Sequence, residues 1–327
     1  MRAKGFSIGL LIGILLLGVS VAFGQDAADV ITTANAAKLK QIMKIEDKDK
    51  ELNELGILFS PDGKLLAFQE DTDLHFIDVV TQKESTTIPL DSSSKLWLAF
   101  TPDGKSLSGV TEFFSKVFSW DLATGEALPS VSVKDDTSDA YWVVISSDSK
   151  FAAVGLEKNT LIIDMSTGET VSTIPVHTDS MAFSPDNKML AVGDYKTKLE
   201  LWDITTAKVN MSLKSPSKAY GYPFFSPDGK LVASCNVRER NGADVWEVDT
   251  GKLVITLPDA VCNTGAAFSP DDTMLAMGMG EVSIFDLTKG AELFKLSAAS
   301  KVTFSPDGKY IATASYFDKT VALWAVG

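Results

Sequence analysis

Apolar positions fall in short runs along this chain, and polar, turn-forming residues separate the runs at regular intervals. LLAF (Leu65–Phe68), FAAVG (Phe151–Gly155), MLAVG (Met189–Gly193), LVAS (Leu231–Ser234), MLAMG (Met274–Gly278) and YIATA (Tyr310–Ala314) are each four or five residues long. That length is too short for helices and predicts buried strands. A turn cluster stands before them and occurs seven times. It reads FSPDGK at Phe59–Lys64, FTPDGK at Phe100–Lys105, ISSDSK at Ile145–Lys150, FSPDNK at Phe183–Lys188, FSPDGK at Phe225–Lys230, FSPDDT at Phe268–Thr273 and FSPDGK at Phe304–Lys309. Its aspartates recur every 36 to 45 residues. Pro presets φ at the second turn position, Asp suits the third, and Gly supplies positive φ at the fourth. Asn187 and Asp272 replace that Gly in two copies and tolerate the left-handed region better than most residues. Ser149 makes the weakest copy.

A second signature has its Asp position 15 to 19 residues after each turn aspartate. It reads FID (Phe76–Asp78), SWDLATGE (Ser119–Glu126), IIDMSTGE (Ile162–Glu169), LWDITTAK (Leu201–Lys208), VWEVDTGK (Val245–Lys252), IFDLTKG (Ile284–Gly290) and LWAVG (Leu323–Gly327). This is a third strand running into a turn. A fourth short strand follows, as in VSTIPV (Val171–Val176) and LVITLP (Leu253–Pro258). Four strands per period of this length make one blade of a β-propeller.

The SPDG turn, the Leu-Ala strand after it and the Trp-Asp pair resemble the WD-repeat (WD40) family. The resemblance covers residues 38–327. It implies an all-β, seven-bladed propeller with four antiparallel strands per blade, and a protein or peptide bound across one face of the ring. No Gly-His pair precedes the inner strands, and Trp324 and Trp246 are followed by Ala325 and Glu247. The family's buried His–Ser/Thr–Trp–Asp network is therefore not carried over. The seventh repeat ends after its third strand, and KLKQIMKI (Lys38–Ile45) is similar to KLVITLPD (Lys252–Asp259). The N-terminal segment is thus expected to supply the missing strand and close the ring, because an open ring exposes unpaired edges.

The start of the chain reads differently. Arg2 and Lys4 precede an apolar run from Phe6 to Phe23, and Ala22 and Gly24 are the small residues of a cleavage site before Gln25. This predicts a secretory signal peptide over residues 1–24, then a linker over 25–37. An uncleaved membrane anchor is the alternative. Either places the remainder outside the cytoplasm, periplasmic or extracellular, and membrane-tethered only if uncleaved.

The formal net charge is −13. Such a surface repels phosphate backbones and excludes nucleic acid as a partner class. The two cysteines, Cys235 and Cys262, are too few for a metal site with two distant histidines. In this propeller they fall on one side of adjacent blades, where a disulfide or two buried thiols are the alternatives.

Candidate chemistry is sparse. The one GxSxG, Gly5–Gly9, lies inside the leader. Phosphate loops and dinucleotide fingerprints are absent, and His75 and His177 read as structural. Acidic stretches at Glu70–Asp73 and Asp135–Asp139 lack calcium-loop spacing. Trp120, Trp202, Trp246 and Trp324 hold the Trp-Asp position and read as core. Trp97, Trp142 and Tyr222 differ: each lies three residues before the end of an innermost strand, where other blades carry Gly56, Ser180, Gly265 and Lys301. Aromatics at a channel entrance make binding anchors; packing between blades is the alternative. No catalytic residue, cofactor or metal is expected. The chain reads as a monomeric, non-catalytic scaffold for a protein or peptide. The alternatives are an exported lactonase-like propeller hydrolase or a subunit of an envelope complex.

Overall fold

The computed structural model describes residues 28–327 apart from 47–48, 50–51, 91–94, 112–114, 138–139, 141, 195–197, 237–241, 259, 262–264 and 300. The leader, residues 1–24, and Cys262 lie outside the described residues. No helix among them is long and apolar enough to cross a membrane.

Seven antiparallel sheets succeed one another along the chain. Blade one runs Leu52–Phe59, Leu65–Glu70, Asp73–Asp78 and Lys83–Pro89, from the channel outward. Blades two to five repeat this order. In blade six the second and third strands form one element, Met274–Asp286, which turns at Gly278–Gly280. A side chain at Gly278 would run into the backbone of Glu281 and Val282, so only glycine allows so tight a reversal there. Blade seven takes Lys301–Phe304, Tyr310–Ser315 and Thr320–Val326 from the end of the chain and its outer strand, Leu39–Glu46, from the start. The ring is closed by the N-terminal strand, as expected from the repeat count.

The segment before that strand differs from a linker. Ile31 donates its N–H to the carbonyl of Gly308 at 2.8 Å, and Ile31 and Ala36 are buried with Trp324, Ile311 and Val302. A 3₁₀ turn, Ala36–Lys38, then leads into the strand. Two apolar side chains at the right spacing are enough to dock it.

The first turn of each blade is built identically. The Ser60 hydroxyl donates to Asp62 Oδ1 at 2.7 Å and accepts the Leu65 N–H at 2.9 Å, while Asp62 Oδ1 accepts the Lys64 N–H at 3.1 Å. Thr101, Ser146, Ser184, Ser226, Ser269 and Ser305 do the same in the other blades. The fourth turn residue has φ between +56° and +74° in every copy, including Ser149, Asn187 and Asp272. Hydrogen bonds from Ser60 hold the Asp62 carboxyl below its ordinary pKa.

These turns touch one another around one face of the disc, here the turn face. Gly63 packs on Pro306, Gly104 on Pro61, Gly229 on Pro185 and Gly308 on Pro270. Two of the three irregular copies compensate each other. Ser147 stands where the proline belongs, and Asn187 of the next turn accepts its N–H at 3.0 Å and its hydroxyl at 3.1 Å. Asp272 faces Asp228 of blade five. Burial and that second carboxylate push Asp272 up to about 6. Burial also opposes the charge on Asp228, but bonds from Lys230 and Ser226 outweigh it and bring Asp228 down to about 2.

The Trp-Asp signature divides its labour. Trp120, Trp202, Trp246 and Trp324 are buried between blades. Trp324 Nε1 donates to Thr313 at 3.0 Å, and Trp246 Nε1 to the Lys214 carbonyl at 3.0 Å. The aspartates turn away and cap the third turn of the blade. Asp203 Oδ1 accepts the N–H groups of Thr205 and Thr206 at 3.0 and 2.7 Å, and Asp78 and Asp164 act alike.

Two outcomes follow from this architecture. Deleting residues 28–46 strips blade seven of its outer strand and uncovers Trp324. Calorimetry should show a lower, broadened transition, and size exclusion should show association; unchanged melting would contradict closure by this segment. Asp272→Asn keeps a residue tolerant of positive φ and removes a carboxylate disfavoured when charged. With its folded pKa raised from 3.8 to about 6, Asp272 favours folding most below pH 3.8 and loses that contribution as pH rises through 6. The variant should therefore gain about 1–3 °C in Tm near pH 7.5, with the gain vanishing at about pH 3.5.

Candidate functional site

Each innermost strand starts on the face opposite the turns, here the loop face, and lines the channel. Trp97 is the second residue of Leu96–Phe100, Trp142 opens Trp142–Ile145, and Tyr222 stands just before Phe224–Phe225. The structure brings all three together. Trp97 and Trp142 meet edge to face with centroids 6.4 Å apart, and Trp142 and Tyr222 are tilted at 5.6 Å. Each is half-buried. Trp142 belongs to blade three and Tyr222 to blade five. Blade four, between them, carries Ser180 at the matching position. That small residue leaves space for the rings to meet across it. Such pairs stabilise by about 0.5–1.5 kcal/mol beyond the area they bury.

Polar groups behind the rings fix their positions. Asn53 Nδ2 donates to Gln69 Oε1 at 2.8 Å and to the Leu96 carbonyl at 3.0 Å, and the Leu96 N–H donates to Gln69 Oε1 at 3.0 Å. Blade one thus grips the residue next to Trp97. The loop bearing Tyr222 is tied to blade five. Asp244, fully buried, accepts from Ser215 at 2.6 Å, from the Ser217 hydroxyl at 3.0 Å and from Thr256 at 2.6 Å. The Gly221 N–H donates to the Cys235 carbonyl at 3.0 Å, and the Ser234 hydroxyl donates to the Gly221 carbonyl. Asn236 Nδ2 reaches the Ser217 carbonyl at 2.8 Å. Cys235 is itself disulfide-bonded and buried.

Two buried polar atoms at this mouth lack a hydrogen-bond partner, Trp142 Nε1 and Ser180 Oγ. Further out on the loop face, Tyr316 and Phe317 pack edge to face at 6.0 Å and are 39% and 70% exposed. The Lys95 ammonium sits over the Tyr316 ring, 5.1 Å from its centroid. A cavity of about 300 Å³ on the same face is lined by Pro175, Val176, His177, Asp179, Asp194 and Lys198.

The histidines pair with carboxylates. His75 Nδ1 lies 2.6 Å from Glu84 Oε1 and its ring stacks on Phe68, while His177 Nε2 lies 3.0 Å from Asp179 Oδ1. No group of three metal-ligating side chains gathers among the described residues. Sequence reasoning singled out the three rings but not Asn53, Gln69 or Asp244. A polar residue inside an apolar strand, as Asp244 is in ADVWE (Ala243–Glu247), was the available signal.

Comparison with known proteins agrees with this architecture. The family model described as WD domain, G-beta repeat matches residues 168–203 and 295–325. This chain is a seven-bladed β-propeller that carries WD40 repeats. WD repeat-containing protein SL1-17 of Schistosoma mansoni is 27% identical over 44% of this propeller and 49% of its own length. An uncharacterized WD repeat-containing protein of Synechocystis is 30% identical over 42% and 40%. WD repeat and SOCS box-containing protein 1 of Xenopus tropicalis is 32% identical over 33% and 26%. The matches thus span less than half the length of these relatives. A chain of Kuenenia stuttgartiensis hydrazine synthase superimposes with a TM-score of 0.66 at 22% identity, covering 87% of this propeller and 98% of that chain. At that identity the likeness is one of fold.

Asp244→Ala leaves three hydroxyl donors unmet in the interior. It should cost about 2–4 kcal/mol in chemical denaturation, with Asp244→Asn milder. Equal stability of the alanine variant would show that Asp244 does not hold the Tyr222 loop.

Proposed function

We propose that this WD40-repeat propeller is a non-catalytic scaffold that binds a protein or peptide outside the cytoplasm, through its loop face. The observation that carries the reading is the contact of Trp97, Trp142 and Tyr222 across the channel mouth. Rings from three blades converge there on supports that a merely space-filling side chain does not need. Tyr316 and Phe317 extend the apolar surface outward, where solvent exposure of a phenylalanine costs free energy that a partner would recover. WD-repeat relatives support a partner that is a protein. The net charge of −13 disfavours nucleic acid. The basic and apolar leader supports export, and the protein acts as a monomer whose seven sheets leave no blade unfilled.

Affinity capture tests this. Bait comprising residues 25–327 is incubated with envelope and extracellular extract beside a folded Trp97→Ala, Trp142→Ala, Tyr222→Ala variant. A protein retained by the first and lost by the second is the expected result. Equal retention by both would move the site elsewhere, and no specific retention would overturn the scaffold reading.

A further inference from the structure

The two unpartnered atoms at the channel mouth constrain what binds there. An indole N–H donates and never accepts, so the group that completes Trp142 must be an acceptor oxygen. Ser180, fully buried in the next blade at the matching register, presents a second unmet hydroxyl. Both sit at the mouth crossed by the Trp142–Tyr222 contact. A polypeptide backbone brings a carbonyl at every residue, and few other ligands supply acceptors so regularly. Charge narrows the choice further. At −13 the chain attracts cationic partners and repels acidic ones. The loop face already holds one ammonium over one ring, Lys95 on Tyr316. Ring faces of Trp and Tyr attract such groups.

We propose that the channel mouth receives a basic peptide segment, which lays a Lys or Arg side chain on the faces of Trp97 and Tyr222 and gives a main-chain carbonyl to the Trp142 indole N–H. This deepens, and rests on, the scaffold reading above. The N–H is covered in the free protein, so the peptide enters by parting Trp142 from Tyr222. The free protein tolerates an unmet donor at this place, and the ligand removes that penalty on binding.

The test is a selection of random peptides of about 12 residues displayed on phage, with the purified protein as target at about 0.15 M salt. Enriched sequences are then synthesised with a fluorescent label, and their affinities are measured by anisotropy. Lys and Arg should be enriched, Asp and Glu depleted, and affinity should fall as salt rises. Trp142→Phe keeps a ring and deletes the donor. It should weaken binding about tenfold in a protein that still unfolds cooperatively, any fall in Tm reporting the smaller ring rather than a lost hydrogen bond. Ser180→Ala serves as a second variant that leaves every ring in place and should also weaken binding. Intrinsic tryptophan fluorescence of the wild type should change on binding. Acidic consensus peptides, no enrichment, or wild-type affinity in both variants would overturn the proposal. The capture experiment scores the scaffold reading separately: a protein retained there alongside peptides indifferent to Trp142→Phe leaves the scaffold standing and removes only the basic-peptide assignment.

Discussion

Everything in this fold depends on the pairing of Leu39–Glu46 with Thr320–Val326. Seven sheets arranged around a channel form a ring only if the last is joined to the first. Here the join is a run of backbone hydrogen bonds between strands from opposite ends of the chain. Those bonds are local in space and maximally distant in sequence, so their formation carries the largest loop-closure cost in the molecule. Once made, they spare blade seven an open edge and let Trp324 pack beneath an outer strand. The docking of Ile31 on Gly308 extends the same join by one layer.

Much of this was legible in the residues because turns have strict chemistry. Ser60, Asp62 and Gly63 name their own conformation, and seven copies of them set the blade count before any contact is known. The loss of Gly at Asn187 looked like simple tolerance of a left-handed backbone. It is also an exchange with Ser147, a residue 40 positions earlier that no local pattern connects to it. The missing Gly-His pair already took the Trp-Asp aspartates out of the family's network, but only the structure shows them capping their own turns.

The candidate site was legible only in part, for a reason of geometry. Register placed Trp97, Trp142 and Tyr222 at one end of the channel. It did not show that Ser180 in the intervening blade is small enough for rings from blades three and five to touch. Nor did it show the Asn53–Gln69 brace or the Asp244 anchor, since both depend on which strand lies beside which. Alternating polarity reports burial, whereas a buried carboxylate among hydroxyls is recognisable only when its neighbours are known. The repeats thus encode the frame, and the departures from repetition build the mouth.

Ile31 meets Gly308 within the collar of turns, so the chain joins the disc on the turn face, while Trp97, Trp142 and Tyr222 open on the other. The molecule therefore has a back and a front. Whatever precedes residue 28 is attached at the back, and a surface or fused domain held there leaves the aromatic front pointing outward. A ring of seven near-equivalent blades would otherwise have no preferred orientation toward its surroundings; a handful of residues before the first strand supplies one.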